Sequence, residues 1–131
     1  FGNSLKNIGI KFAWIVNSED GLDEISPYAK TNVIQIKEGH ISEIVIDPID
    51  LNINAGKIEN LLGDDSIFNA NKIIDIFKGE DNDFSKAVCM NTAAGLIVSE
   101  NQNNFLEAYQ KSRDHILTGK TFDHLKSIQN D

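Results

Sequence analysis

Glu19-Asp20-Gly21-Leu22-Asp23-Glu24-Ile25-Ser26 directly follows the apolar run Ile10-Lys11-Phe12-Ala13-Trp14-Ile15-Val16. A short run rich in β-branched and aromatic residues, closed by an acidic loop containing glycine, reads as a buried strand and the turn beyond it. In an open α/β sheet, ligands bind at the loops past the carboxyl ends of strands. Asp23 and Glu24 are adjacent in sequence. A regular strand would send them to opposite faces and a helix would splay them, whereas in a loop both can turn toward one hard cation or a pair of cations. Magnesium takes oxygen ligands, keeps several waters and accepts one or two carboxylates beside substrate phosphates. The loop is therefore a candidate metal–phosphate site. From spacing alone it also fits an ordinary acidic turn that caps the next segment.

Outward from this loop, residues 3–8 read as the tail of a helix feeding the strand at 10–16. Thr31 to Ile36 and Ile41 to Ile46 read as two strands joined around Glu38-Gly39, a hairpin turn, with Pro48 stopping the second. Residues 49–63 follow neither period. From Asp64 the spacing becomes helical. Ile67, Ala70, Ile74 and Phe77 mark one helix, with caps among Asp64 to Ser66 and a stop at Gly79. A second helix is expected over Asp83 to Val98, where Ala93-Ala94-Gly95 would allow close packing against a neighbour. A third starts near Asn104 with Glu107 as its capping-box partner and ends at Gly119. Thr121 is expected to cap a last short helix with Phe122, Leu125 and Ile128 inward. Strands first and helices last suit one part of an α/β layer structure.

Three stretches together carry a family resemblance: Asp20-Gly21-Leu22-Asp23-Glu24-Ile25-Ser26 with the hairpin ending in Asp47-Pro48, Asn91-Thr92-Ala93-Ala94-Gly95-Leu96, and Ser112-Arg113-Asp114-His115-Ile116-Leu117-Thr118-Gly119-Lys120. In that order they resemble the C-terminal part of the anthranilate phosphoribosyltransferase family, from about Leu5 to the end. The acidic loop is the specific element of the three. The resemblance implies an α/β fold, namely the C-terminal portion of the phosphoribosyltransferase/nucleoside-phosphorylase-like α/β domain, with a strand, a β-hairpin and several C-terminal helices. Residues 1–131 would form a single C-terminal segment of that glycosyltransferase domain. The implied activity of the full-length parent is transfer of phosphoribosyl from phosphoribosyl diphosphate to anthranilate in tryptophan biosynthesis. Its magnesium would be bound by Asp23 and Glu24, the second carboxylate contacting both ions; Asp20 and Ser26 are left to turn formation and backbone hydrogen bonding.

Other family elements have no counterpart. The chain contains no Gly-Thr-Gly-Gly-Asp or similar phosphate loop, and the family's basic loop, anthranilate-contacting arginine and N-terminal helical domain lie upstream of the matched region. The chain does not begin with Met and reads as cut from a longer protein, so the segment alone is expected to be inactive. No catalytic nucleophile is expected. A homo-oligomer in the cytoplasm is expected. The alternative function is a non-catalytic relative on the same fold that serves as a binding or interaction domain.

Composition narrows the choice. One domain's worth of chain, 131 residues, carries a formal net charge of −8, against a nucleic-acid surface, which requires a basic stripe. No apolar stretch approaches a membrane span. Cys89, the single cysteine, cannot form an internal disulfide and lies in the apolar run Ala87-Val88-Cys89-Met90, as a small core residue would. His40, His115 and His124 share no metal spacing and are read as surface residues. Lys30 is read as an ordinary surface lysine, Trp14 as core, and Asn91 as an amide that bonds a buried backbone group. Arg113, the one arginine, matches no motif.

Overall fold

The computed structural model describes residues 2–54, 56–100 and 102–129. A short helix, α1 (Gly2–Asn7), precedes a three-stranded antiparallel sheet of β1 (Phe12–Ser18), β2 (Thr31–Lys37) and β3 (His40–Ile46), in the order β1-β2-β3. The hairpin forms where the sequence places it. Glu38 and Gly39 take φ of 48° and 81°, the doubly left-handed pair of a two-residue turn whose twist matches that of the strands. Lys37 and His40 are then direct partners, so His40 opens β3 rather than sitting in the turn. β1 begins and ends two residues later than the apolar run, because Asn17 and Ser18 still pair with Asn32 and Thr31 of β2. It is also less covered than a buried strand: Phe12 to Val16 are all half-buried.

After β3 the Asp47 side chain accepts the Ile49 N–H and starts a 3-10 turn at Pro48–Leu51, and a second such turn spans Ile58–Leu61. These two turns account for the stretch without a period. Four helices follow: α2 (Ser66–Phe77), α3 (Asp83–Glu100), α4 (Phe105–Leu117) and α5 (Lys120–Gln129). Asp65 caps α2 through the Phe68 N–H, and Asn104 caps α4 through the Glu107 N–H while its own amide donates to the Glu107 carboxylate at 3.0 Å. That exchange is the expected Asn104–Glu107 box in a side-chain-to-side-chain form.

The core lies where α3 crosses the sheet and the acidic loop. Met90, Ala93 and Ile97 recur at helical spacing on the buried face of α3, with α4 packed beside it through Ala108, Tyr109 and Ile116. Cys89 is 1% exposed, and burial pushes its thiol pKa up to about 11, an inert core position. Trp14 joins the core by stacking on Phe105 and donates its indole N–H to Gln35 at 3.0 Å. Arg113 spans α4 and the loop before α3, binding Asp81 at 2.8 Å and lying over the Tyr109 ring.

Two helical expectations are corrected. In α2 the core residue is Ile76, while Ile67 and Ala70 are exposed; apolar residues circle this helix, so spacing alone did not select the buried side. Thr121 lies inside α5, which starts at Lys120, and Ile128 faces out at 58% exposure. All three histidines are exposed, as read from the sequence.

Candidate functional site

The acidic loop connects β1 to β2 and is closed at its base by two contacts on the Lys30 carbonyl: the Glu19 N–H at 2.9 Å and the Ser18 hydroxyl at 3.4 Å. Gly21, at φ 94°, makes the reversal, donating its N–H to the Ser18 carbonyl. Leu22 is then fixed on both sides. Its N–H donates to Asp20 Oδ1 at 3.3 Å, and its C=O accepts the Ser18 N–H at 3.2 Å. These are the turn-forming roles expected of Asp20.

Ser26 organises the far half. It is fully buried, and its hydroxyl donates to Asp20 Oδ2 at 2.5 Å while accepting the N–H groups of Tyr28 at 3.0 Å and Ala29 at 3.3 Å. Its own N–H donates to the Thr31 hydroxyl. Partial burial acts to raise the Asp20 pKa, but the bonds from Ser26, Ser18 and the Leu22 N–H outweigh it and hold this carboxyl below its ordinary value. Asp20 thus stays ionised as the internal acceptor of the loop. Tyr28, beyond the buried Pro27, has its pKa pushed up to about 12 by burial and the neighbouring Asp83 carboxylate. The Tyr28 ring fills the space above Gly56, where an added Cβ would collide with it.

Between these two fixed halves stand Asp23 and Glu24. Both are exposed, and no hydrogen bond or ion pair among the described residues engages either carboxylate. Their successor Ile25 is 1% exposed and is gripped by α3: the Asn91 amide oxygen accepts the Ile25 N–H at 3.0 Å and the amide nitrogen donates to the Ile25 C=O at 3.0 Å. Sequence reading anticipated a buried backbone partner for Asn91 but not its identity, since the two residues lie 66 positions apart. Lys30 is engaged elsewhere, in an exposed ion pair with Asp47 at 3.3 Å.

The donor set suits a hard, hydrated cation. Two free oxygen-bearing side chains share a loop apex, and no group of three or more His, Cys, Asp or Glu that could hold a metal occurs among the described residues. Asp23 and Glu24 offer two oxygen donors, so magnesium held there would take the rest of its ligands from outside this loop.

Strands followed by packed helices make this a segment of an α/β domain, and the chain belongs to the glycosyl transferase family, a/b domain, which it matches over residues 1–122. Within that family its relatives are anthranilate phosphoribosyltransferases. It is 72% identical over 130 residues to that enzyme from Pelagibacter ubique (strain HTCC1062), covering 99% of this chain and 39% of the relative. It is 38% identical over 124 residues to that from Caldanaerobacter subterraneus subsp. tengcongensis, covering 95% of this chain and 37% of the relative. The chain therefore spans less than half the length of these relatives. The fold agrees with the anthranilate phosphoribosyltransferase of Thermus thermophilus at a TM-score of 0.83 and 20% identity, over 95% of this chain and 36% of that one. It also agrees with the Saccharomyces cerevisiae enzyme in complex with PRPP and Mg, at a TM-score of 0.75 and 24% identity, over 86% of this chain and 33% of that one. The expected fold is the observed one. No helix among the described residues is long and apolar enough to cross a membrane.

Proposed function

We propose that this chain is the C-terminal segment of an anthranilate phosphoribosyltransferase, the N-terminal helical domain and phosphate loop lying outside it. The full-length protein transfers phosphoribosyl from phosphoribosyl diphosphate to the amine of anthranilate, releases diphosphate and serves tryptophan biosynthesis in the cytoplasm. The 72% identity to the Pelagibacter ubique enzyme is the observation that carries this reading. Asp23 and Glu24 are its magnesium ligands, supported by their exposed, unengaged carboxylates in a loop held by hydrogen bonds on either side of them. Magnesium bound there would supply charge stabilisation for the departing diphosphate. The chain's own contribution is placement: the Ser26–Asp20 hydrogen bond ties together the two halves of the loop that carries the exposed pair. The test is direct. Purified full-length protein given phosphoribosyl diphosphate, anthranilate and magnesium should consume anthranilate and release diphosphate in equal amounts, and failure to consume anthranilate would overturn the assignment.

We further infer self-association of the 131-residue chain. Among the described residues β1 pairs with β2 alone, which leaves its other edge open, and Ile10 before it is 38% exposed. Open strand edges beside apolar surface are templates for pairing. A groove of about 400 Å³, lined by Phe12, Ala13 and Val16 of β1 and by Gly95 and Val98 of α3, adds apolar surface beside the strand. Two copies joined there would cover Ile10, Phe12 and Val16. Trp14 adds less than its size suggests, because Phe105 already covers one face of its ring. Sedimentation at micromolar concentration should give a mass well above the monomer's 14.5 kDa, and a clean monomer would reject the pairing.

A further inference from the structure

We infer that Asn91 is a positioning residue for the metal-binding pair: it acts on Asp23 and Glu24 through the Ile25 peptide and touches neither metal nor substrate. The inference rests on the magnesium reading given above.

The geometry carries it. Asn91 lies on α3 next to the buried Met90, and its side chain leaves the helix toward the loop rather than the core. Its carboxamide makes three hydrogen bonds, and together they fix its orientation. The oxygen accepts the Ile25 N–H at 3.0 Å; the nitrogen donates to the Ile25 C=O at 3.0 Å and to the Ala87 C=O, one helical turn back, at 3.0 Å. The pair of bonds to Ile25 reproduces the contact a neighbouring strand would make, so α3 holds the loop backbone as a sheet holds a strand. The Ile25 N–H belongs to the peptide that carries the Glu24 carbonyl. Holding that peptide sets the direction in which Glu24 leaves the loop. On the other side Leu22 is held through Asp20 and Ser18. The free carboxylates thus occupy a two-residue span anchored at both ends, and Asn91 is the anchor supplied by the helical layer.

A residue that merely stabilised the fold would act differently from one that sets the pair's geometry. Groups behind metal ligands typically cost 10–100-fold in metal affinity when removed. In the full-length protein, Asn91→Ala is expected to weaken magnesium-dependent binding of phosphoribosyl diphosphate about tenfold or more in a calorimetric titration. Amide exchange at Ile25 should accelerate in the same variant, with or without magnesium. Ile116→Val, trimmed in the core of α4 away from the loop, serves as the control for lost stability, and it should leave both readings unchanged. Asp23→Asn with Glu24→Gln serves as the control for the metal reading. If Asn91→Ala binds like the parent while the carboxylate double variant is weakened, the positioning role is overturned and the metal site stands. Unchanged Ile25 exchange in Asn91→Ala also overturns it. If the double variant binds magnesium and phosphoribosyl diphosphate normally, the metal assignment falls and this role falls with it. Equal weakening in Ile116→Val would reduce Asn91 to a stabilising contact.

Discussion

Replacing both loop carboxylates in the full-length protein, Asp23→Asn with Glu24→Gln, is expected to cut turnover roughly 100-fold or more while leaving the fold intact. A metal ion stabilising the charge of a departing diphosphate is worth several kcal/mol, and each 1.36 kcal/mol is a factor of ten in rate, so losing its ligands has a large kinetic cost. The structural cost is small because neither side chain holds anything in place: both are exposed and engaged by no described residue. Exposed positions of this kind usually shift stability by no more than about 0.5 kcal/mol. The measurement is initial rate against magnesium concentration, with melting temperature recorded alongside. Near-parental turnover at limiting magnesium would sink the ligand assignment. Ser26 provides the contrast: its hydroxyl serves one carboxylate and two backbone N–H groups inside the loop, so replacing it would disturb structure first and activity as a consequence.

How much the sequence disclosed depends on the range of the interaction concerned. The Glu38-Gly39 hairpin, the Asp65 and Asn104 caps and the helical stop at Gly79 depend on residues within a few positions of one another, and the structure has each of them. The exposed Asp23–Glu24 pair was legible for the same reason, as a short polar apex between a strand and a buried Ile25-Ser26. Burial direction in α2 was not. Ile67, Phe68, Ile73, Ile74, Ile76 and Phe77 surround the helix, and only contacts with other elements single out Ile76. The two-residue displacement of β1 has a similar origin, since Asn17 and Ser18 are held in the strand by their partners on β2 rather than by their own preference. Least legible was the Asn91 clamp. Residue type and an apolar helical setting foretold a backbone partner, but which backbone it would be depends on how α3 lies across the loop. Local chemistry thus announced the exposed carboxylates, and the tertiary fold supplied the Asn91 contact to the residue that follows them.

The second large effect concerns the 131-residue chain by itself, which is expected to transfer no phosphoribosyl group. Binding a diphosphate requires more than a pair of metal ligands: it calls for backbone N–H groups in a glycine-rich cradle or cationic side chains directed at the phosphates. The sequence has no glycine-rich phosphate loop. The two basic residues best placed for scrutiny are both committed, Lys30 to Asp47 near the loop and Arg113 to Asp81 and Tyr109 in the helical layer. Two carboxylates without a phosphate cradle hold magnesium weakly, because the ion surrenders its water reluctantly and depends on phosphate oxygens for the balance of its shell. The chain also spans only 39% of the length of the Pelagibacter ubique relative, so most of that enzyme's length has no counterpart within these 131 residues. Anthranilate consumption, followed by its fluorescence with phosphoribosyl diphosphate and magnesium present, should match the protein-free baseline when the chain is purified from a host lacking its own enzyme. Turnover above that baseline that vanishes in the Asp23→Asn, Glu24→Gln variant would show that this segment alone carries a complete site, and would overturn the division of labour between the segment and the rest of the protein.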